Sequence, residues 1–272
     1  MKPDQKDGKT MIPKTIHYCY FGGNPLPPLA ETCIESWQKY CPDFEIIRWD
    51  EGNYTLDSNP YIKEATTEKK WAFVSDYFRL DVLYNYGGIY MDTDVELIKP
   101  INEFLNHSAF SGFESKNGIP TGIIGAVKGN GWIEFLLNDY SDRHFIFNGK
   151  LDYSTNVETI TRLTKERYPL ILNNTFQDLK DVVFYPTNYF CPMYGMDNNI
   201  IIEENTYCIH HFAASWLPEE LKRIKEKQSG HIKRYGKFIG KSIYYYSYIV
   251  YLLKNEGISG VINAIKTKRA RL

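Results

Sequence analysis

RLDVLYNYGGIYMDTDVELIKP, residues 79–100, decides the fold. Running into it, Phe73, Tyr77, Leu80 and Tyr84 recur at helical spacing, which predicts a helix over Lys69–Tyr86. Gly87-Gly88 stops that helix. An apolar run, Gly88-Ile89-Tyr90-Met91, then reads as a buried strand and ends abruptly at Asp92-Thr93-Asp94, with Glu96 just beyond. Two carboxylates at the end of a buried strand repel each other and are costly to desolvate. A metal ion, a covalent role or simple exposure at a turn would offset that cost.

The same alternation runs outward from this stretch. IPKTIHYCYFGG (12–23) reads as a strand closing in a Gly-Gly turn, LAETCIESWQKY as a helix after a Pro-rich entry, and FEIIRWD as a second strand, with GIYMDTDVELI the third. Strand–helix–strand–helix–strand within this span predicts βαβ units and a mostly parallel sheet flanked by helices, an α/β fold. In such sheets ligands bind outside the carboxyl ends of the strands, where Asp92, Asp94 and Gly22-Gly23 fall. Downstream, AFSGFES and GIIGAVKG read as strands, GWIEFLLNDY and NVETITRLTKERY as helices, and DVVFYP and TYCIHHFAASW as strand-ended segments.

The chain of 272 residues is long enough for one large domain with an appendage. Apolar residues make up 43%, enough for a full core, and 22 tyrosines suit surfaces that meet sugars, bases or a membrane boundary. The net charge of −1 conceals an asymmetry: residues 217–272 carry 13 Lys/Arg against 4 Asp/Glu, so a basic, Tyr-rich, helical segment follows an acidic body. Five cysteines without a CxxC pair predict free thiols in a reducing compartment. MKPDQKDGKT lacks the apolar core of a signal peptide, and no apolar run reaches the roughly 18 residues of a transmembrane helix. A cytoplasmic chain is expected, peripheral on the inner face of the cell membrane through 217–272, with no nucleic-acid partner.

Several chemistries use a DxD. A calcium loop would place Asp92, Asp94, Glu96 and Glu103 at its ligand positions, but Leu97 stands where the sharp turn needs Gly, and Pro100 intrudes. A haloacid-dehalogenase-like phosphatase would use Asp92 as nucleophile and Asp94 as acid, and would need a downstream acidic pair, for which Asp178 and Asp181 are the candidates. A nucleotide-sugar glycosyltransferase would use the pair to hold a divalent cation against the donor diphosphate, with hard oxygen ligands suiting Mn²⁺ or Mg²⁺. A non-catalytic sugar-binding protein would explain the aromatics alone.

FVSDYFRLDVLYNYGGIYMDTDVEL (73–97) resembles the DXD-containing region of glycosyltransferase family 32, which includes Golgi initiating mannosyltransferases and bacterial capsular and exopolysaccharide enzymes. IPKTIHYCYFGG resembles that family's first strand, and CIHHFAASW (208–216) its late His-His-aromatic-x-x-Ser-Trp element. The resemblance implies a GT-A domain over 11–216, followed by the segment 217–272. It implies a metal-dependent, retaining hexosyltransferase that takes a UDP- or GDP-sugar donor and a saccharide or lipid-linked saccharide acceptor in cell-surface polysaccharide synthesis. Residue by residue, it implies Asp94 and Asp92 at the metal, with an imidazole completing the sphere, His211 in preference to His210. Asp76 and Arg79 join Asp92 and Asp94 as the catalytic set. Ser75, Asp76, Arg79, Asp92 and Thr93 hold the donor, and Ser215 and Trp216 close over its diphosphate. Residues 17–23 flank the base, with Cys19 and Tyr20 in contact with it. Two positions depart from the pattern: Thr121 stands where Asn is expected, and Tyr20 where Trp is frequent.

Overall fold

A computed structural model describes residues 5–6, 9–120, 122–194, 199–213 and 219–270. Internal contacts divide the chain into two compact units: residues 1–193 with 201–213, and residues 194–200 with 214–272.

The first unit is built on a seven-stranded mixed sheet. Its strands are β1 (Thr15–Cys19), β2 (Glu45–Trp49), β3 (Gly88–Met91), β5 (Ala109–Gly112), β6 (Ile123–Ala126), β7 (Gln177–Asp178) and β8 (Val183–Tyr185). The spatial order is β7-β8-β5-β6-β3-β1-β2. β1 pairs parallel with β2 and β3, and β8 pairs parallel with β5, while β6 runs antiparallel between β3 and β5. All strands except β6 and the edge strand β7 therefore point the same way, giving the mostly parallel sheet flanked by helices expected from the sequence.

The strands are apolar because both faces are covered. Side chains alternate between two cores. Ile16, Tyr18, Ile89, Met91, Phe110 and Ile123 face one, which α1 (Pro28–Tyr40) seals with Cys33 and Trp37. Cys19, Tyr90, Ala109, Ile124 and Ala126 face the other, beneath α2 (Pro60–Thr67), α3 (Trp71–Tyr86), α4 (Gly131–Asn138) and α5 (Asn156–Arg167). α3 contributes Val74, Tyr77, Phe78, Leu80, Val82 and Leu83 to this second core. It ends where Gly87 turns to φ 70° and Gly88 to φ 108°. A Cβ on Gly88 would stand 2.8 Å from the carbonyl oxygen of Thr15, so the glycine lets β3 start flush against β1.

The third strand expected over 88–98 is two strands. β3 stops at Met91, Val95 N–H donates to Asp92 O at 3.0 Å to close a turn, and β4 (Val95–Leu97) leaves the main sheet. β4 pairs antiparallel with β9 (Cys208–His210), setting His210 opposite Val95. The chain breaks here because a continuous strand would drive Asp92 and Asp94 along the sheet interior.

The second unit consists chiefly of α7 (Glu219–Ala270), interrupted by non-helical backbone at Gly236 and Gly257.

Candidate active site

Asp92, Thr93 and Asp94 form the turn between β3 and β4, at the carboxyl end of β3. Asp92 is held from two sides. The Tyr90 hydroxyl donates to Oδ1 at 3.0 Å, and the Arg79 guanidinium reaches Oδ2 at 3.4 Å and Oδ1 at 3.3 Å. Tyr90 precedes Asp92 by two residues on the strand, so the two share a face. Arg79 is buried on α3, one turn beyond Ser75 and Asp76. Its Nη2 donates to Asp76 Oδ1 at 3.0 Å and to Ser75 Oγ at 3.3 Å, and its Nε to Ser75 O at 3.2 Å. The guanidinium carbon also stands 4.7 Å from the centre of the Tyr90 ring. A planar fork with all three of its nitrogens engaged has one orientation, and that orientation faces the turn.

Asp94 is held by the late segment. Ala213 N–H donates to Asp94 Oδ2 at 2.8 Å, His211 N–H donates to Asp94 O at 3.0 Å, and His210 Nε2 lies 3.4 Å from Asp94 Oδ1. Phe212 makes this possible by adopting φ 51°, an uncommon conformation for a bulky side chain. Its ring stacks on His210 at 4.1 Å. Burial raises the Asp94 carboxyl, but the His210 and Ala213 hydrogen bonds outweigh it and the net shift is downward. Burial likewise pulls the His210 imidazole down, and the Asp94 hydrogen bond and charge override it, leaving His210 well above its ordinary range. Burial drives Asp76 up to about 7, against the opposing pull of Arg79.

Asp92, Asp94 and His210 offer ligand atoms that all lie within 4.8 Å of one another, the cluster of potential metal ligands among the described residues. The place is sculpted for them. A Cβ on Gly122 would lie 3.1 Å from Asp92 Oδ2 and 3.2 Å from His210 Cε1, so only glycine leaves this space open. Two carboxylate oxygens and one imidazole nitrogen fit a divalent cation such as Mn²⁺. His210 Nδ1 is buried with no hydrogen-bond partner of ordinary geometry among the described residues, while the Cys191 side chain adds to the upward shift of the ring.

The histidine favoured from sequence stands elsewhere. His211 Nε2 lies 2.8 Å from Glu96 Oε2, while His210 occupies the place beside the Asp pair. The signal lay in the pairing: His210 is in register with inward-facing Val95, and Glu96 points away. Cys19 carries a buried thiol 3.8 Å from the Tyr90 hydroxyl, and burial pushes it up to about 12, so its side chain belongs to the core rather than to an open base site. His17 is also in the core. Its Nε2 donates to Gly87 O at 2.9 Å, and its Nδ1 accepts from Trp49 Nε1 at 3.1 Å. Tyr20 is partly exposed and spends its hydroxyl on Pro25 O at 3.0 Å, leaving its ring beside the strand end. Ser75 donates to Ala72 O at 2.7 Å, and Thr93 is half-buried in the turn. Ser215, Trp216 and Thr121 lie outside the described residues. Asp178 and Asp181, which a phosphatase would require, are not part of the Asp92–Asp94–His210 cluster.

Sequence reasoning missed Tyr90 and Glu114. Glu114, half-buried two residues past β5, is raised first by burial and further by the charges of Asp92 and Asp94, with His210 and Arg79 opposing. It carries no motif, and only the folded sheet brings it near the turn. Asp139, Asp142, Arg143, Asp152 and Ser154 line a cavity of about 510 Å³. Arg143 there is bonded to Asp139 and Asp152, and its charge acts on Asp76.

Residues 27–111 match the family model described as "Glycosyltransferase sugar-binding region containing DXD motif". The chain is 29% identical over 155 residues to inositol phosphoceramide mannosyltransferase 3 of Schizosaccharomyces pombe, covering 53% of this chain and 41% of that one. It is 46% identical over 56 residues to the human alpha-1,4-N-acetylglucosaminyltransferase, covering 20% of this chain and 16% of that one. These similarities are to glycosyltransferases, within the region that carries the Asp-Thr-Asp turn. The chain spans less than half the length of these curated relatives. Among solved structures, the PaToxG glycosyltransferase superposes with a TM-score of 0.45 at 18% identity, over 58% of this chain and 70% of that one. The family match contains α3, the Asp-Thr-Asp turn and β5 as far as Ser111, whereas Gly122, Glu114 and His210 lie beyond it.

Proposed function

We propose that the protein is a metal-dependent, retaining glycosyltransferase. It moves a hexose from a UDP- or GDP-sugar to a saccharide or lipid-linked saccharide acceptor in cell-surface polysaccharide synthesis, at the cytoplasmic face of the membrane. The observation that carries this reading is the convergence of Asp92, Asp94 and His210 beside the buried Arg79–Asp76 pair, with Asp76, Arg79, Asp92 and Asp94 inside the matched sugar-binding region. A divalent cation bound by these three residues would neutralise charge on the departing diphosphate as a Lewis acid. Arg79, fixed by Ser75, Asp76 and Asp92, supplies a preorganised positive fork toward the same oxygens without reorganising during the reaction. Asp76 and Asp92 retain acceptor capacity for sugar hydroxyls. The acceptor hydroxyl loses its proton to the leaving diphosphate on the same face, so the configuration at the sugar is kept. The mixed-charge cavity at Arg143 suits a hydroxyl-rich acceptor.

The test is transfer from UDP- and GDP-hexoses with Mn²⁺ and with EDTA, followed by proton NMR of the product. The expected outcome is an α-linked product from an α-linked donor, formed only with metal. Asp94→Asn should lower turnover by at least about 10²-fold with the fold intact, the scale of removing a charge-stabilising group. Full activity in EDTA would refute the metal role, and a β-linked product would refute retention.

A further inference from the structure

The second unit carries a feature that the transfer reaction does not use. Gly236, at φ 80°, splits the part of α7 that precedes Gly257 into two legs that fold back on each other. A Cβ on Gly240 would lie 2.6 Å from Ile232 Cα, so the legs touch backbone to backbone near the turn. Lys254 Nζ reaches Glu220 at 3.3 Å, tying the far ends together. The second leg buries Gly240, Tyr251 and Leu252, with the Tyr244 and Tyr248 rings stacked beside them.

That same leg has a second apolar face, which is exposed. Phe238 is 85% exposed and Tyr246 71%, with Ile239, Ile249, Val250 and Leu253 between 41% and 53%. At about 100° per residue these six, with Ser242 among them, fill a single arc of about 120°, in which the one charged position is Glu256 at the far end of the leg, next to Gly257. A helix in water does not gain from six outward apolar side chains on one stripe, and such a patch marks an interaction surface. Its border says which kind. Lys233, Arg234 and Lys237 are exposed around the Gly236 turn, immediately beside Tyr235 and Phe238, and Lys241 and Lys254 flank the stripe along the leg. Among the described residues no helix is long and apolar enough to cross a membrane, so an apolar stripe with a cationic border points to a helix lying in the interface plane.

We propose that this hairpin docks in-plane on an anionic lipid surface, inserting Phe238, Tyr246, Ile249 and Leu253 among the acyl chains and setting Lys233, Arg234 and Lys237 against the headgroups. The two attractions are complementary. Apolar insertion alone would bind neutral and anionic bilayers alike, whereas the cationic turn confers a preference for acidic lipid and a dependence on salt. The inference stands apart from the transfer reaction, since it uses none of the residues at the Asp-Thr-Asp turn.

Vesicle flotation of the full chain tests it, with phosphatidylcholine vesicles and with vesicles containing about 30% phosphatidylglycerol, so that charge is the variable. The protein should float with the anionic vesicles and stay behind with the neutral ones, and high salt should weaken recovery. The triple variant F238E/Y246E/L253E should lose binding by at least about tenfold while keeping its thermal transition. The variant K233Q/R234Q/K237Q should lose the preference for acidic lipid. Because all six sites are exposed, these substitutions leave the fold in place, and circular dichroism checks that. Equal recovery with both vesicle types, or variants that bind as the parent does, would overturn the proposal. So would a dimer in solution that the triple variant converts to monomer with no vesicle binding by either, since the stripe would then be covered by a second copy of the chain.

Discussion

His210 and His211 are neighbours with different tasks, and the backbone decides between them. His210 sits opposite Val95 in the β4–β9 pair, so it faces inward toward Asp94, while His211 has left the strand and meets Glu96. No feature of the dipeptide itself separates them, because both are imidazoles beside the same carboxylates until the register is known. His210→Ala should therefore weaken Mn²⁺ binding by at least about tenfold, whereas His211→Ala should leave it near the parent value. Calorimetric titration of Mn²⁺ into both variants measures this, and equal losses would sink the assignment. His17 is the opposite case, a histidine whose role is structural. It is 1% exposed, and burial pulls its imidazole down to about 4 from 6.5. The unfolded chain thus takes up this proton at higher pH than the fold does. Stability should rise with pH between about 4 and 6.5 and be independent of this group above that window, a difference approaching about 3 kcal/mol. Urea denaturation at several pH values checks it. His17→Gln should flatten the slope in this window even if it lowers stability throughout, and an unchanged slope would exclude His17 as the source.

At the scale of elements, the turn is held by groups that never approach a substrate. Trp37 is fully buried on α1, and its Nε1 donates to Val95 O at 2.7 Å, while Ser36 Oγ accepts from Leu97 N–H at 2.9 Å. α1 therefore clamps β4 immediately after Asp94. Trp37→Phe keeps an aromatic ring but leaves the Val95 carbonyl without this donor. It should cost about 1–3 kcal/mol of stability, and the loosened β4 should weaken metal binding as well. Thermal unfolding and Mn²⁺ titration read the two effects, and a loss of stability with metal affinity untouched would show that the clamp is remote from the site. Elements were the most legible level of the sequence. Alternation and glycine punctuation indicated the helix before the turn, the parallel strands and the place of Asp92 and Asp94. They did not indicate that β3 and β4 are separate strands, because the break follows from a turn bond and from pairing with β9, more than a hundred residues later. Tyr90 was within reach of period-two reasoning from Asp92, whereas Glu114 and Gly122 were not, since their places depend on how β5 and β6 pack together.

The whole first unit converges on the site from positions distant in sequence: Ser75, Asp76 and Arg79 from α3, the turn 92–94 after β3, Gly122 before β6, and 210–213 at and beyond the end of β9. Without a ligand, these segments are joined at the turn by a few hydrogen bonds and by two carboxylates whose charges oppose each other. A cation with a nucleoside diphosphate would bridge them all, and the unfolded chain offers no equivalent arrangement. Binding should accordingly stabilise the fold as a unit rather than one loop of it. At a ligand concentration about a hundredfold above Kd, mass action contributes about 2.7 kcal/mol. For a chain of this size that corresponds to a rise in Tm of about 5–10 °C. The rise should require both components: Mn²⁺ with UDP or GDP should shift the transition well beyond either alone, and Asp94→Asn should abolish the excess. Comparing the two nucleotides in the same scan ranks the base preference, which no described residue settles. A nucleotide shift that is equal with Mn²⁺ and with EDTA would mean that the diphosphate is held by Arg79 and backbone donors without the Asp pair, and the metal-bridged reading of the turn would fall.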